Sequence, residues 1–226
     1  MKAKPSVFHI IDLDRTLFDT SKLITTMRGM IAIGHPEFAL VMDEAIAKCS
    51  SNGNSFFIFD FIGDNIGQTA LSEYVLQLAA TLGASDLLLP GANDRIAFAA
   101  SQPEWGMGIL TFGSPKDQEI KLKLAGLDKH SYIVTDTPEK GAIIASWRLP
   151  NGQYQLPKAF GGRVVDILTF DDDKRTAFDN LPEDVLGQWI NKESALLERK
   201  ASALPSNVHA IPDLRTSVEY LKSKLI

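Results

Sequence analysis

Two aspartates, Asp12 and Asp14, stand where a run of apolar residues ends, and two nearby carboxylates can divide the work of a nucleophile and a general acid or base. The run, Val7–Ile11, is typical of a strand in a parallel sheet that is covered on both faces. In open α/β sheets, ligands bind beyond the carboxyl ends of the strands. A buried strand has no structural need for two acids at its end, so this pair is the first candidate for an active site.

Polar and charged residues also end or follow three later segments that have the composition of strands. The strands are predicted over residues 107–112, 131–134 and 164–170. The polar residues are Thr111 in the first, Lys140 beyond the second, and Asp171, Asp172 and Asp173 after the third. Since the carboxyl ends of parallel strands lie along one edge of a sheet, these side chains can converge although they are far apart in sequence.

Convergence of up to five carboxylates requires positive charge, because like charges in a poorly solvated site repel one another. A hard divalent cation meets this requirement, and Mg²⁺ prefers one or two carboxylates together with water and phosphate oxygens. A lysine suits a second anion, and a hydroxyl just before a helix N-terminus, such as Thr111, suits phosphate oxygens. Together these groups predict phosphoryl transfer through an aspartyl-phosphate.

The same residues carry a resemblance to a known family. The segment Asp12-Leu13-Asp14-Arg15-Thr16 resembles the first motif, Asp-x-Asp-x-Thr, of the haloacid dehalogenase-like hydrolase superfamily. The segment Ile109-Leu110-Thr111 resembles the second motif, and Lys140 stands where the lysine of the third belongs. Phe170, followed by three aspartates, resembles the fourth motif. The segment Pro90-Gly91-Ala92 also resembles a sequence that occurs in the family. The four motifs occur in the family's order from about Val7 to the end of the chain.

The resemblance implies a role for each motif residue. Asp12 attacks phosphorus, and Asp14 first protonates the leaving group and then activates the hydrolytic water. Mg²⁺ is held by Asp12, by the backbone carbonyl of Asp14 and by acids of the fourth motif, Asp171 and Asp172. The residues expected to contact the transferring phosphoryl group are Leu13 and Arg15 through backbone N–H groups, Thr16, Thr111, Phe112 and Lys140.

Two features of the motifs depart from the family's pattern. Arg15 replaces a glycine that is common after the second aspartate, so its backbone can still donate while its long side chain can enter the site. The fourth motif has three acids, which leaves its register open. If Phe170 ends the strand, Asp171 and Asp172 form the active pair; the alternative pair is Asp172 and Asp173.

The predicted fold class is α/β, a Rossmann-like three-layer domain with a central parallel sheet, because strands alternate with helices along the chain. Residues 1–17 and 86–226 are assigned to this core domain, and residues 18–85 to a helical cap inserted after the first strand. In the family, such a cap excludes water and selects the substrate. The aromatic residues between positions 56 and 61 either line its pocket or form its core. A polar helix is predicted over residues 183–201.

Composition excludes several other classes of function. The net charge of −5 gives no reason to expect a nucleic-acid partner. No apolar run reaches the roughly 18 residues of a membrane span. The single Cys49 excludes an internal disulfide and indicates a reducing, cytoplasmic setting, and the four scattered histidines lack zinc-ligand spacing.

The sequence therefore predicts a Mg²⁺-dependent phosphatase that acts on a small soluble phosphomonoester. One alternative is a phosphomutase, in which the phosphoryl group returns to a sugar; it keeps the same motifs. The other alternative is a catalytically silent module that binds metal or phosphate, although the intact Asp12 and Asp14 argue against it.

Overall fold

A six-stranded parallel sheet is the centre of the computed structural model, which describes residues 5–52, 54–191 and 204–226. The strands are β1 (Val7–Ile11), β2 (Trp105–Phe112), β3 (Tyr132–Thr135), β4 (Tyr154–Gln155), β5 (Val164–Val165), β6 (Ile167–Asp172), β7 (Leu186–Ile190) and β8 (Val208–Ile211). The order in the main sheet is β3-β2-β1-β6-β7-β8, and β4 pairs with β5 in a separate antiparallel ribbon. The parallel α/β architecture predicted from the alternating pattern is confirmed.

The α-helices lie between strands along the described chain, except for the last, which follows β8. They are α1 (Thr20–Gly34), α2 (Pro36–Ser51), α3 (Ile58–Asn65), α4 (Gln68–Thr81), α5 (Ala92–Ala99), α6 (Pro115–Leu124), α7 (Lys140–Ala145) and α8 (Leu214–Leu225). Among the described residues, no helix combines the length and the apolar character that crossing a membrane requires.

Internal contacts divide the chain into two compact units. The sheet unit comprises the described residues of Met1–Phe18, Leu89–Phe112 and Lys129–Ile226. The helical unit comprises those of Asp19–Leu88 and Gly113–Asp128. The predicted cap, residues 18–85, corresponds to most of the helical unit, but the contacts also assign α6 to that unit, whereas the sequence had placed it in the core domain.

The helical unit is built from amphipathic helices, and α3 contacts both α4 and α6. Ser114 caps α6, as its Ser-Pro sequence predicts, and accepts a hydrogen bond from the backbone N–H of Asp117. The buried carboxylate of Asp117 accepts from the backbone N–H of Phe59 at 2.8 Å and pairs with Lys121 at 2.7 Å. This buried acid of α6 binds the first turn of α3 and therefore joins two helices that are distant in sequence.

The strands of the sheet unit bury both faces of the sheet, as their apolar composition requires. One face carries the larger apolar cluster, which includes Phe8, Ile10, Leu110, Leu168, Phe170, Trp189 and, from α7, Ile144. On β1 and β6 the intervening residues His9, Thr169 and Asp171 take part instead in a buried polar network with Arg95 of α5, and α5 in turn contacts α8. The alternation of side chains along a strand separates these two environments.

The structure differs from two predicted elements and contains one helix that was not predicted. The helix predicted over residues 183–201 is wrong at its start, where Leu186–Ile190 forms β7; residues 192–203 lie outside the described chain. The single strand predicted over 164–170 is divided between β5 and β6. The aromatic segment near position 58 is a helix, α3, that the sequence pattern did not reveal. In β7 the pairing with β6 and β8 outweighs the weak strand propensity of Gly187 and Gln188.

Candidate active site

Asp12 follows β1 directly and is held from several sides. Its backbone N–H donates to the carbonyl of Asp171 at 2.9 Å, which extends the pairing of β1 with β6 by one residue. The carbonyl of Leu13 then accepts from the N–H groups of Leu17 and Phe18, at 3.0 and 2.8 Å. This tight turn brings Thr16 back to Asp12, and the Thr16 hydroxyl donates to Oδ2 of that carboxylate at 3.1 Å. The Asp12 side chain is almost fully buried, so its orientation is set by these contacts.

Lys140, the first residue of α7, connects two of the predicted acids. Its ammonium group binds Oδ1 of Asp12 and, at 2.7 Å, Oδ2 of Asp172. All three side chains are buried. Burial alone would lower the pKa of Lys140, but its pairing with Asp12 and Asp172 outweighs burial and raises that pKa, so the lysine stays charged.

Three carboxylates converge around this lysine. Within the described parts of the chain, the acidic residues whose ligand atoms all lie within 4.8 Å of one another are Asp12, Asp172 and Asp173. Burial raises the pKa of Asp12 to about 8 despite Lys140, and burial together with Asp172 raises the pKa of Asp173 to about 7. The ionised cluster therefore needs more positive charge than one lysine supplies. A hard divalent cation such as Mg²⁺ fits this donor set of carboxylate oxygens.

The predicted metal role of Asp171 is corrected by the structure. β6 continues through Asp172, so Phe170 is not its last residue, and consecutive side chains point to opposite faces of the sheet. Asp171 points away from Asp172 and binds Nε of Arg95 at 2.7 Å, with both side chains completely buried. The pair that joins Asp12 is therefore the alternative one, Asp172 and Asp173.

Arg95 is a residue that the sequence analysis missed. Besides binding Asp171, its Nη2 donates to the Thr169 hydroxyl and lies beside Nδ1 of His9, both at 3.2 Å. Burial and the neighbouring arginine lower the pKa of His9, which keeps that ring neutral. Ser217 of α8 contributes a longer contact to Asp171, at 3.5 Å. A sequence signal existed, because Arg95 lies at helical spacing from buried residues of α5 at positions 92, 98 and 99.

Thr111 lies near the end of β2, on the strand next to β1, and is completely buried. Its hydroxyl has no hydrogen-bond partner among the residues that the structure describes. A buried hydroxyl without a partner is costly, since it has given up its hydrogen bonds to water. Its backbone carbonyl, by contrast, accepts from the hydroxyl of Thr135 at 3.2 Å. The side chain is thus available to an oxygen-bearing ligand.

Two of the predicted phosphate contacts are corrected. The backbone N–H of Arg15 donates to the carbonyl of Phe18 at 2.9 Å, inside the turn, and so is not available to a phosphoryl group. Thr16 is completely buried and uses its hydroxyl to orient Asp12, which makes it a positioning residue. The contacts predicted for Leu13 and Phe112 stay predictions. Phe112 ends β2, with the Lys174 ammonium 5.6 Å from its ring centroid.

Asp14 lies in the same turn and is half-buried, in contrast to the nearly buried Asp12. The two acids of the first motif therefore differ in environment, as a division of labour requires. Greater contact with water suits a group that exchanges protons with solvent. The predicted metal contact through the backbone carbonyl of Asp14 stays a prediction.

Gly141, the residue after Lys140, allows α7 to lie close against the backbone near residues 179–181. A Cβ atom at this residue would lie 2.3 Å from the carbonyl oxygen of Asp179 and 2.9 Å from the backbone nitrogen of Leu181. We expect Gly141→Ala to lower the free energy of unfolding by about 1–3 kcal/mol, because rigid backbone must move. Urea unfolding measures this loss. The matched control is Gly29→Ala in α1, where a Cβ meets nothing within 4 Å; an equal loss in both variants would contradict the explanation.

Comparison with known proteins shows the fold. The chain matches no protein-family model and no curated protein. Among solved structures, it resembles a protein from Burkholderia xenovorans LB400 that is described as a haloacid dehalogenase-like hydrolase. The TM-score is 0.64 and the identity 15%, over 95% of this chain and 98% of the other.

Two further solved structures have similar sequence identity to this chain and lower TM-scores. The HAD-hydrolase YfnB from Bacillus subtilis, bound to magnesium, matches with a TM-score of 0.54 and 16% identity over 97% of this chain and all of the other. The L-2-haloacid dehalogenase from Xanthobacter autotrophicus matches with a TM-score of 0.54 and 12% identity, over 95% of this chain and 98% of the other. The chain therefore has the haloacid dehalogenase-like fold, which confirms the fold expected from the motifs. At these identities, the chemistry must be argued from the site itself.

Proposed function

We propose that this protein is a Mg²⁺-dependent phosphatase that hydrolyses a small phosphomonoester through an aspartyl-phosphate on Asp12. The observation that carries the proposal is the fixed orientation of Asp12, whose two carboxylate oxygens are bound separately by Thr16 and Lys140. A nucleophile held in one orientation reacts without first losing conformational freedom. The fold is compatible with this chemistry and does not by itself select it.

In the first half-reaction, an oxygen of the Asp12 carboxylate forms a bond to phosphorus while the bond to the ester oxygen breaks. Asp14, in its protonated form, gives its proton to the leaving oxygen, which departs as an alcohol. Lys140 and the Thr111 hydroxyl stabilise the charge on the transferring phosphoryl oxygens. The buried position of Thr111 and its lack of a described partner suit it to this task.

In the second half-reaction, Asp14 takes a proton from water as the water oxygen attacks phosphorus. The bond between phosphorus and the Asp12 oxygen breaks, which releases inorganic phosphate and restores the carboxylate. Asp14 is again protonated at the end, so the cycle closes without another reactant. Its half-buried position is consistent with proton exchange with water.

The metal would be held by Asp12, Asp172 and Asp173, the three acids whose ligand atoms converge. When bound, Mg²⁺ would neutralise the acidic cluster and polarise a phosphoryl oxygen. Lys140 contributes one positive charge to the same cluster and keeps Asp12 beside Asp172. Asp171 takes no part, because its charge is already matched by Arg95.

Phosphate ester hydrolysis is favoured over dehalogenation by the presence of Asp14. An alkoxide leaving group is strongly basic and needs a proton, which a general acid supplies. A halide is a very weak base and leaves without one. A second acid in the turn after Asp12 is therefore expected for phosphate esters and has no evident use in releasing halide.

The test is hydrolysis of p-nitrophenyl phosphate and of a panel of small phosphate esters, with Mg²⁺ and with excess EDTA. We expect release of phosphate that requires Mg²⁺. Phosphorus NMR distinguishes the products, since a phosphatase forms inorganic phosphate and a phosphomutase forms an isomeric ester. An absence of turnover on the whole panel, or equal turnover in EDTA, would contradict the proposal.

A further inference from the structure

Arg15 has a backbone conformation that arginine rarely adopts. Its φ angle is +61°, in the left-handed region, where a side chain costs about 1 kcal/mol or more relative to glycine. The turn that imposes this conformation also uses its N–H, which donates to the carbonyl of Phe18. A glycine would form the same turn without strain. Any benefit from having arginine here must therefore come from its side chain.

The guanidinium group of Arg15 lies at the acidic cluster without being fixed there. Its Nε is 3.8 Å from Oδ2 of Asp173, which is longer than the 2.7–2.9 Å typical of a charge-assisted hydrogen bond. The Arg15 side chain is 61% exposed, while that of Asp173 is 15% exposed. Within the described chain, the guanidinium donates no hydrogen bond to another residue. Its N–H donors are thus largely uncommitted at the edge of the site.

The other cations of the site are already engaged. Lys140 is buried and binds two carboxylates, and the Lys174 ammonium lies 5.6 Å from the centroid of the Phe112 ring. Compared with these two lysines, Arg15 is exposed and can meet a second anionic group of a ligand without breaking a close contact. Its planar fork matches two oxygens of a carboxylate or a phosphate, which an ammonium group cannot do.

On the basis of the proposed function, we propose that Arg15 determines specificity by binding a second anionic group of the substrate. The substrate class is then a small phosphate monoester that also carries a carboxylate or another phosphate, a few bonds from the transferred phosphoryl group. The second anion would replace solvent around the guanidinium, beside the cluster that contains the nucleophile Asp12. Arg15 is in this role a specificity residue, because it binds a part of the substrate that does not react.

Three substrates with one carbon skeleton test the proposal: propyl phosphate, 3-phosphooxypropionate and propane-1,3-diol bisphosphate. The wild-type protein is expected to have at least a tenfold higher kcat/KM for one or both of the substrates with two anionic groups than for propyl phosphate. Which of them is preferred distinguishes a carboxylate from a second phosphate. In Arg15→Gly, which also removes the backbone strain, this preference is expected to fall at least tenfold. A preference that survives within twofold would overturn the proposal.

The matched control is Arg215→Ala. Arg215 also places its Nε 3.8 Å from an aspartate, Asp94, and is exposed, but it lies on α8 outside the acidic cluster. Its substitution is expected to leave the substrate preference unchanged. An equal fall in both variants would show that general surface charge is responsible, which would also overturn the proposal.

A binding measurement separates this inference from the proposed phosphatase activity. Calorimetric titration compares 3-phosphonopropionate with propylphosphonate, neither of which can be hydrolysed as an ester. Wild type is expected to bind 3-phosphonopropionate at least tenfold more tightly than propylphosphonate, and Arg15→Gly is expected to lose that difference. If the difference is found but no ester is turned over, the phosphatase proposal alone fails. If wild type binds both probes equally and shows no preference for the bisphosphate, the role of Arg15 is refuted.

Discussion

Asp12→Asn is expected to reduce the rate of phosphate ester hydrolysis by at least about 10⁴-fold, because it removes the atom that bonds to phosphorus. Asparagine has nearly the same shape as aspartate, and Thr16 can still donate to its carbonyl oxygen. The variant is therefore expected to fold, and it also relieves part of the charge repulsion with Asp172. If the variant is folded and its rate of hydrolysis is greatly reduced, the reduction is due to the missing nucleophile and not to unfolding.

The measurement is kcat on p-nitrophenyl phosphate at saturating Mg²⁺, with urea unfolding as the check on folding. The matched control is Asp166→Asn, which replaces an exposed aspartate that accepts from Ser6 and Gln153 in the sheet unit. We expect its kcat to stay within twofold of the wild-type value. A beryllium fluoride adduct, located by crystallography, should lie on Asp12. An adduct on another carboxylate, or an Asp12→Asn variant with near-normal kcat, would show that the nucleophile is misassigned.

Arg95→Met is expected to lower the free energy of unfolding by about 3–5 kcal/mol at pH 8, the largest effect on stability that we predict. Methionine fills much of the volume of the side chain but removes the charge that compensates Asp171. The arginine also donates to Thr169, so the variant leaves more than one buried acceptor without its partner. Removing one member of a buried ion pair is costly because the other charge stays out of contact with water.

The dependence of this loss on pH has a definite sign. Burial already raises the pKa of Asp171, and Arg95 opposes that rise, so loss of the arginine raises the pKa further. A carboxyl group whose pKa is higher in the folded state than in the unfolded state stabilises the fold at low pH, and this contribution is lost as pH increases. The loss caused by Arg95→Met should therefore be smaller at pH 5 than at pH 8.

Urea unfolding of three variants at both pH values measures these effects. The double variant Arg95→Met with Asp171→Leu removes both charges and is expected to recover most of the stability at pH 8. The control Arg215→Ala, which breaks an exposed ion pair, should cost no more than about 1 kcal/mol. An Arg95→Met loss as small as this control, or no recovery in the double variant, would contradict the assigned role of the buried pair.

The main features of the fold and the convergence of the chemical groups could be predicted from the amino-acid sequence. Mostly apolar runs such as Val7–Ile11 indicate strands buried on both faces, and acids at their ends indicate the edge at which a ligand is expected. The sequence also predicts that Lys140 and Asp172 converge with Asp12. In the structure, the Lys140 ammonium binds the carboxylates of both Asp12 and Asp172. The parallel sheet and the convergence of these side chains could be predicted because both depend on local composition and on the shared direction of parallel strands.

Which of two neighbouring residues joins the acidic cluster could not be predicted from the sequence and depends on the folded chain. Asp171 and Asp172 are neighbouring residues of the same type, so the sequence does not distinguish them. In the structure, the register of β6 directs Asp171 toward Arg95 and Asp172 toward Lys140. β7 was missed for a related reason, since Leu186–Ile190 is a strand through its pairing with β6 and β8.

For Asp12 and Asp14, the pair that first indicated a site, the sequence and the structure again give different information. Their position at the end of a strand followed from the sequence. Only the folded chain shows that Thr16 and Lys140 bind different oxygens of Asp12. It also shows that the Arg15 N–H is already used by a hydrogen bond within the turn. The physical reason is that local sequence sets the available hydrogen-bonding groups, whereas long-range contacts decide which of them are already used when a ligand arrives.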